Sequence, residues 1–290
     1  MDINYMISGP ESVVLLIIAT LGHLMAFGWM LAEKLELNLC RRTIYNLPIS
    51  TQQLKRELKN SLYAPIHALL LLLCLALGLF NGTSLISFIV SLLTTAVCAE
   101  IWHYFSHRAF HTRPLLWIHK EHHKSVLSSP FTAISFSFTE KLVFNLGILG
   151  LLFAIDNFVD LNFYGIAGWY IFYISINSYG HANFEIKSKS FLNFTGKFFT
   201  STTYHSLHHS RYIKNYGLGT RVLDRIFGTE WEDYEQVFDQ VSGQERPMAR
   251  FKEKLEPSTR VAPKWHDTLS GKSSYIATII RLYHHMTRQT

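Results

Sequence analysis

Five stretches of this chain are uniformly apolar over 16 to 20 residues: 13–32, 65–80, 85–102, 142–158 and 163–178. A bilayer crossing takes about 20 mainly apolar residues. Runs such as LLIIAT, ALLLLLCLALGLF and LGILGLLFAI have no polar face to turn toward water, so packing on a soluble core does not explain them. The second, fourth and fifth stretches are short, which leaves room for one re-entrant segment. The pattern predicts an all-α integral membrane bundle of four to five membrane helices. The composition, 48% hydrophobic and only 17% charged, agrees.

Basic residues orient such a bundle. The opening segment MDINYMISGPES has two acids and no Lys or Arg, so it lacks the basic start of a secretory leader. The first apolar stretch is therefore expected to be a retained helix. The following loop carries Lys34, Arg41, Arg42, Lys55, Arg56 and Lys59, which assigns it to the cytoplasm. An outward and a return crossing then bring Arg108, Arg113, Lys120 and Lys124 to the same side. The fourth and fifth stretches form a further hairpin, and residues 187–290 remain inside. Three regions follow: N-terminal membrane helices with a basic cytoplasmic loop (1–84), a catalytic domain (85–240) and a basic cytoplasmic tail (241–290). The net charge of +6 reflects this orientation, and nothing points to nucleic acid. Cys40, Cys74 and Cys98 are scattered, which suggests neither a disulfide framework nor a cysteine metal site.

Ten of the fifteen histidines fall between His103 and His209. They occur as HYFSHRAFH (His103, His107, His111), HKEHH (His119, His122, His123), a lone His181, and YHSLHHS (His205, His208, His209). Two clusters share the form H-x-x-H-H. Positions i, i+3 and i+4 share a helix face, so each cluster is expected to point three imidazoles at one spot. In the first cluster successive histidines rise about 6 Å, so two neighbours can grip one ion but three cannot. The basic-residue topology places all the clusters and His181 on one membrane face, as a shared metal site requires. Eight or more neutral imidazoles exceed what one four- to six-coordinate ion can use, which implies two ions. The spacing departs from the soluble Glu-x-x-His bundle, because acids are few: Glu100, Glu121 and Glu140 are nearest. Ligand softness alone leaves iron and zinc both open. A histidine-rich metal transporter is an alternative, but it predicts ligands midway along membrane helices. A non-catalytic lipid-binding relative is another, and the complete cluster set argues against it.

The string from Glu100 to Ser125, EIWHYFSHRAFHTRPLLWIHKEHHKS, resembles the core of the fatty acid hydroxylase/sterol desaturase superfamily. Glu100, His107, Arg108, His111, Leu116, Trp117, His119, Lys120, His122 and His123 match its pattern position by position. Downstream, His205 to Ser210, Asn215-Tyr216-Gly217 and the run from Asp224 to Thr229 resemble it too. The resemblance covers about Glu100 to Thr229. It implies a membrane oxidoreductase with two iron ions and molecular oxygen as co-substrate, which hydroxylates or desaturates an unactivated C–H bond of a membrane lipid. It implies His107, His111, His119, His122, His123, His205, His208 and His209 as catalytic metal ligands, with His181 as a ninth. Electrons are expected from a separate electron-transfer protein or reductase, since C-x-x-C-H and G-x-G-x-x-G are both absent. The chain departs from the family at His103, where an aromatic is usual. It also carries Asn177 and Glu185 four residues either side of His181, where some relatives have a further histidine. His23, His67, His266, His284 and His285 lack such partners and are read as structural.

Three other stretches stand out. The aromatic-rich runs 131–138 and 191–199 suit a lipid entrance or an interface anchor, and 273–286 has the look of an amphipathic surface helix. Asn81-Gly82-Thr83 fits a glycosylation sequon in a loop too tight to use it.

Overall fold

The structure, a computed structural model, describes residues 9–256. Ten α-helices are present among them: α1 Pro10–Lys34, α2 Thr51–Asn60, α3 Ile66–Ala76, α4 Leu85–Phe110, α5 Leu116–His123, α6 Phe138–Asp156, α7 Phe163–Gly180, α8 Thr202–Arg211, α9 Val222–Ile226 and α10 Tyr234–Phe238. No strand forms among the described residues; extended pairing is limited to isolated bridges such as Thr43 with Phe184. The expected all-α class holds. The tail stretch 273–286, with His266, His284 and His285, lies outside the described residues.

The chain divides into two compact units. The first runs from residue 9 to Leu35, then Ile49–Trp102 and Ser129–Ala182. Four helical stretches that lie wholly or mostly in this unit are long and apolar enough to cross a membrane: Pro10–Lys34, Thr51–Ala76, Leu85–Phe110 and Phe138–Asp156. The second stretch starts earlier than its apolar block, because Ser50 caps α2 through the Gln53 amide and a short turn at Ser61–Tyr63 carries the helix on into α3. The fifth apolar block forms α7 but falls outside these four. Five tyrosine and tryptophan rings and Asn177 dilute its apolarity, and much of its surface is buried, including Trp169, Tyr170 and Tyr173.

Exposure in this unit runs opposite to that of a soluble protein. Leu16, Leu24, Leu69 and Leu93 are all at least 60% exposed, while Ser91, Thr95 and Asn145 are fully buried. Apolar side chains turned outward suit a lipid surround. The Ser91, Thr95 and Asn145 side chains are hydrogen-bonded within the unit. Glu57 of α2 accepts from Gln53, Ser129 and Thr132, which ties α2 to the 3-10 turn Pro130–Ile134. Close helix approach depends on small residues. A Cβ at Gly147 of α6 would stand 1.9 Å from the Trp102 ring, so glycine is what allows that ring to seat.

The second unit contains Glu36–Pro48, His103–Ser128 and the chain from Asn183 to residue 256. Tyr45, Tyr104, Phe184, Tyr204, Tyr234 and Phe238 form its core, each at most 1% exposed. The Asn183 side chain brackets the Tyr45 backbone, accepting from its N–H at 3.0 Å and donating to its carbonyl at 2.8 Å. Arg221, fully buried, pairs with Glu230 and Glu235 and lies 4.4 Å from the Tyr234 ring centroid.

Candidate metal centre

Three helical segments of the second unit bring the histidines together: the end of α4, then α5 and α8. His107, His111, His119, His123 and His208 each offer a ring nitrogen, and these nitrogens lie within 4.8 Å of one another. Nitrogens of His122, His205 and His209 likewise lie within 4.8 Å of one another. The two groups abut where the His123 and His209 rings stack at 4.7 Å.

Each H-x-x-H-H cluster is therefore divided, contrary to the expectation that its three imidazoles share one spot. His119 and His123 face the five-histidine group while His122 faces the other. On α8, His208 joins the first group and His205 and His209 the second. Helix geometry explains the division. Neighbouring residues project about 100° apart, so His122 and His123, like His208 and His209, point to different places, whereas i and i+4 stay nearly aligned.

Backbone carbonyls fix the rings. His107 Nδ1 lies 3.1 Å from the Tyr216 oxygen, His208 Nδ1 2.7 Å from that of Lys214, and His209 Nδ1 3.0 Å from that of Ser125. A carbonyl can only accept, so Nδ1 carries the proton, and in a neutral ring Nε2 keeps its lone pair. The Nε2 atoms are the ones that converge: His208 Nε2 is 2.9 Å from His123 Nε2, and His209 Nε2 is 3.1 Å from His205 Nε2. Buried His107 Nε2 has no hydrogen-bond partner in the protein, nor has either nitrogen of His111. Burial holds His111, His119, His123 and His208 well below the usual imidazole pKa, helped by neighbouring imidazoles, so these rings stay neutral.

Behind these carbonyls stands Asp224, fully buried on α9. It accepts from the Tyr216 and Gly217 amides at 2.9 and 2.6 Å, from the Thr229 hydroxyl at 2.6 Å and from the Tyr204 hydroxyl at 2.9 Å. Burial pushes its carboxyl up to about 6 against the pull of these donors. Gly217 is required here, since a Cβ would stand 2.2 Å from the Thr220 carbonyl oxygen. Asn215 completes the support, accepting from the Trp231 amide and donating to the Tyr204 carbonyl. The chain turns sharply to reach these positions: Tyr212, Lys214 and Asn215 have φ of 75°, 67° and 54°.

Comparison with known proteins bears on the same segment. Residues 92–229 match the fatty acid hydroxylase family. That segment, similar to the fatty acid hydroxylase family, takes in every histidine of the two groups. Among curated proteins similar to this chain, very-long-chain aldehyde decarbonylase CER1 of Arabidopsis thaliana is 31% identical over 149 residues, 48% of this chain and 23% of that protein. Protein CER1-like 2 of the same plant is 32% identical over 171 residues, 55% of this chain and 28% of that one. Very-long-chain aldehyde decarbonylase GL1-7 of Oryza sativa subsp. japonica is 33% identical over 150 residues, 48% and 23% of the two chains. The match thus spans only about a quarter of the length of these relatives. No solved structure matches the chain.

The donor set fits transition-metal ions: neutral, buried imidazoles with preset tautomers and orphaned nitrogens. Two nitrogens bound at about 2.1 Å and at right angles would stand about 3 Å apart, close to the Nε2 separations seen here. His181 belongs to the first unit, where it caps α7 and its Nδ1 donates to the Asn177 carbonyl at 3.0 Å, the same ring-fixing bond. His103 touches the His107 ring at 4.8 Å but joins neither group. His23 meets Ser61 at 3.0 Å and His67 packs edge-on to Tyr170 at 5.4 Å, both inside the first unit. Sequence reasoning gave no role to Tyr212, Tyr216 or Asp224. The signal for the last two was the string Asn215-Tyr216-Gly217 followed seven residues later by a lone acid. Tyr212 left only its place four residues after His208.

Proposed function

We propose that this chain is a membrane-bound oxidoreductase that hydroxylates or desaturates an unactivated C–H bond of a membrane lipid at a di-iron centre. The observation that carries the reading is the pair of all-imidazole groups whose Nδ1 protons are tied to backbone carbonyls. His107, His111, His119, His123 and His208 would hold one iron, and His122, His205 and His209 the other, with His181 as a ninth ligand. Two irons held there would supply oxygen activation and hydrogen abstraction from the lipid. The chain's own part is to present lone pairs without reorganisation, to keep the imidazoles neutral, and to exclude water through burial. Electrons come from a separate protein or reductase, because the sequence has no signature of a built-in carrier.

Residues 85–240 form the catalytic domain, between the membrane-anchoring 1–84 and the basic tail 241–290. The histidine clusters face the cytoplasm, an orientation supported by the basic residues between Lys34 and Lys59. A second reading concerns the substrate. Relatives named very-long-chain aldehyde decarbonylases favour a long-chain aldehyde, with loss of one carbon as the outcome. Comparative lipid analysis of cells with and without the protein distinguishes these: one added oxygen, two lost hydrogens, or a product one carbon shorter. Metal analysis of the purified chain tests the centre itself. About two irons per chain are expected, and a single tightly held ion would sink the di-iron reading.

A further inference from the structure

The five-histidine group has one weak side. His107, His119, His123 and His208 are buried, whereas His111 is only half-buried. Tyr212 lies against that side. Its ring meets His111 at 4.8 Å and His123 at 4.9 Å, edge to face in both cases. It stands directly after α8, where its amide donates to the His208 carbonyl at 2.7 Å.

The backbone there is strained. Tyr212 has φ of 75°, a conformation that glycine adopts freely and a tyrosine does not. Such a residue persists only where its surroundings enforce it. A helix end of this kind favours glycine, and nothing in the turn itself calls for an aromatic ring. The ring is what the strain keeps in place.

We infer that Tyr212 is a cover over the exposed edge of the five-histidine group, shielding a metal held there from exchange with water and small solutes. It is a positioning residue: it touches the imidazoles and acts on what they hold. This inference rests on the metal reading above.

The test uses the full chain, iron-loaded and in lipid nanodiscs, challenged with excess iron(II) chelator. Tyr212→Gly removes the ring and relieves the strain together. It should release about half of its iron some tenfold faster than the parent chain, with an unchanged or higher melting temperature. Tyr212→Phe keeps the ring and should release iron at the parent rate. Equal rates in the parent chain and Tyr212→Gly would overturn the cover while leaving the metal reading intact. Faster loss of all the iron together with a lower melting temperature would mark a merely structural role and overturn it as well. A parent chain that held no iron would overturn both readings.

Discussion

The Asp224 carboxylate accepts the Tyr216 amide at 2.9 Å, and the Tyr216 carbonyl in turn accepts the Nδ1 proton of His107 at 3.1 Å. A group that never touches the metal-ligand cluster thus sets which nitrogen His107 presents to it. Asp224→Asn preserves the shape and removes the charge that gathers four donors. Metal affinity should fall about 10- to 100-fold, because outer supports of this kind contribute that much. Chelator competition with the purified variant measures it, and unchanged affinity would remove Asp224 from the support.

Gly217→Ala should destabilise the second unit by about 1–3 kcal/mol, as overpacking does, since the added methyl collides with the Thr220 carbonyl and crowds Asp224. Thermal melting in detergent reads the effect. An unaltered melting temperature would show that the loop has room the structure does not give it.

The two histidine groups should empty separately. His208→Ala and His205→Ala should each reduce bound iron from about two to about one per chain, while both abolish product formation. Elemental analysis of membrane-inserted protein decides this; full metal content in either variant contradicts the division of α8 between the groups.

Acidity should act on the metal-stripped protein in a definite direction. His111, His119, His123 and His208 stay neutral in the folded chain well below 6.5, but titrate near that value once unfolded. Below about 6.5 the unfolded chain therefore binds more protons, and stability falls as pH drops, by at most about 1.4 kcal/mol per pH unit for each group. Above that value these groups add no pH dependence. Melting temperatures of metal-free protein from about pH 8 to about pH 5 check this, and a flat profile would count against buried neutral rings.

Much of this was legible in the residues themselves. The apolar runs announced the membrane helices, and the i, i+4 spacings of His107 with His111 and His119 with His123 anticipated shared faces. The division of His122 from His123 was less visible. A helix face defined as i, i+3 and i+4 is wide enough to hide a 100° step between neighbours. The carbonyl partners of His107, His208 and His209 could not be read at all, because every residue carries a carbonyl and only the folded path decides where it points. Tyr212 was hidden for a related reason: its role depends on a backbone angle that its side chain disfavours. The dilution of α7 by tyrosine and tryptophan could have been counted from the sequence.

The turn after α8 bears on attempts to improve the protein. Tyr212, Lys214 and Asn215 all hold left-handed angles that glycine would relieve, and the Lys214 carbonyl steadies His208. A directed-evolution campaign scored on heat resistance alone would be drawn to these positions. Its winners would be sturdier chains with slacker metal sites, so turnover has to be screened in the same round as survival.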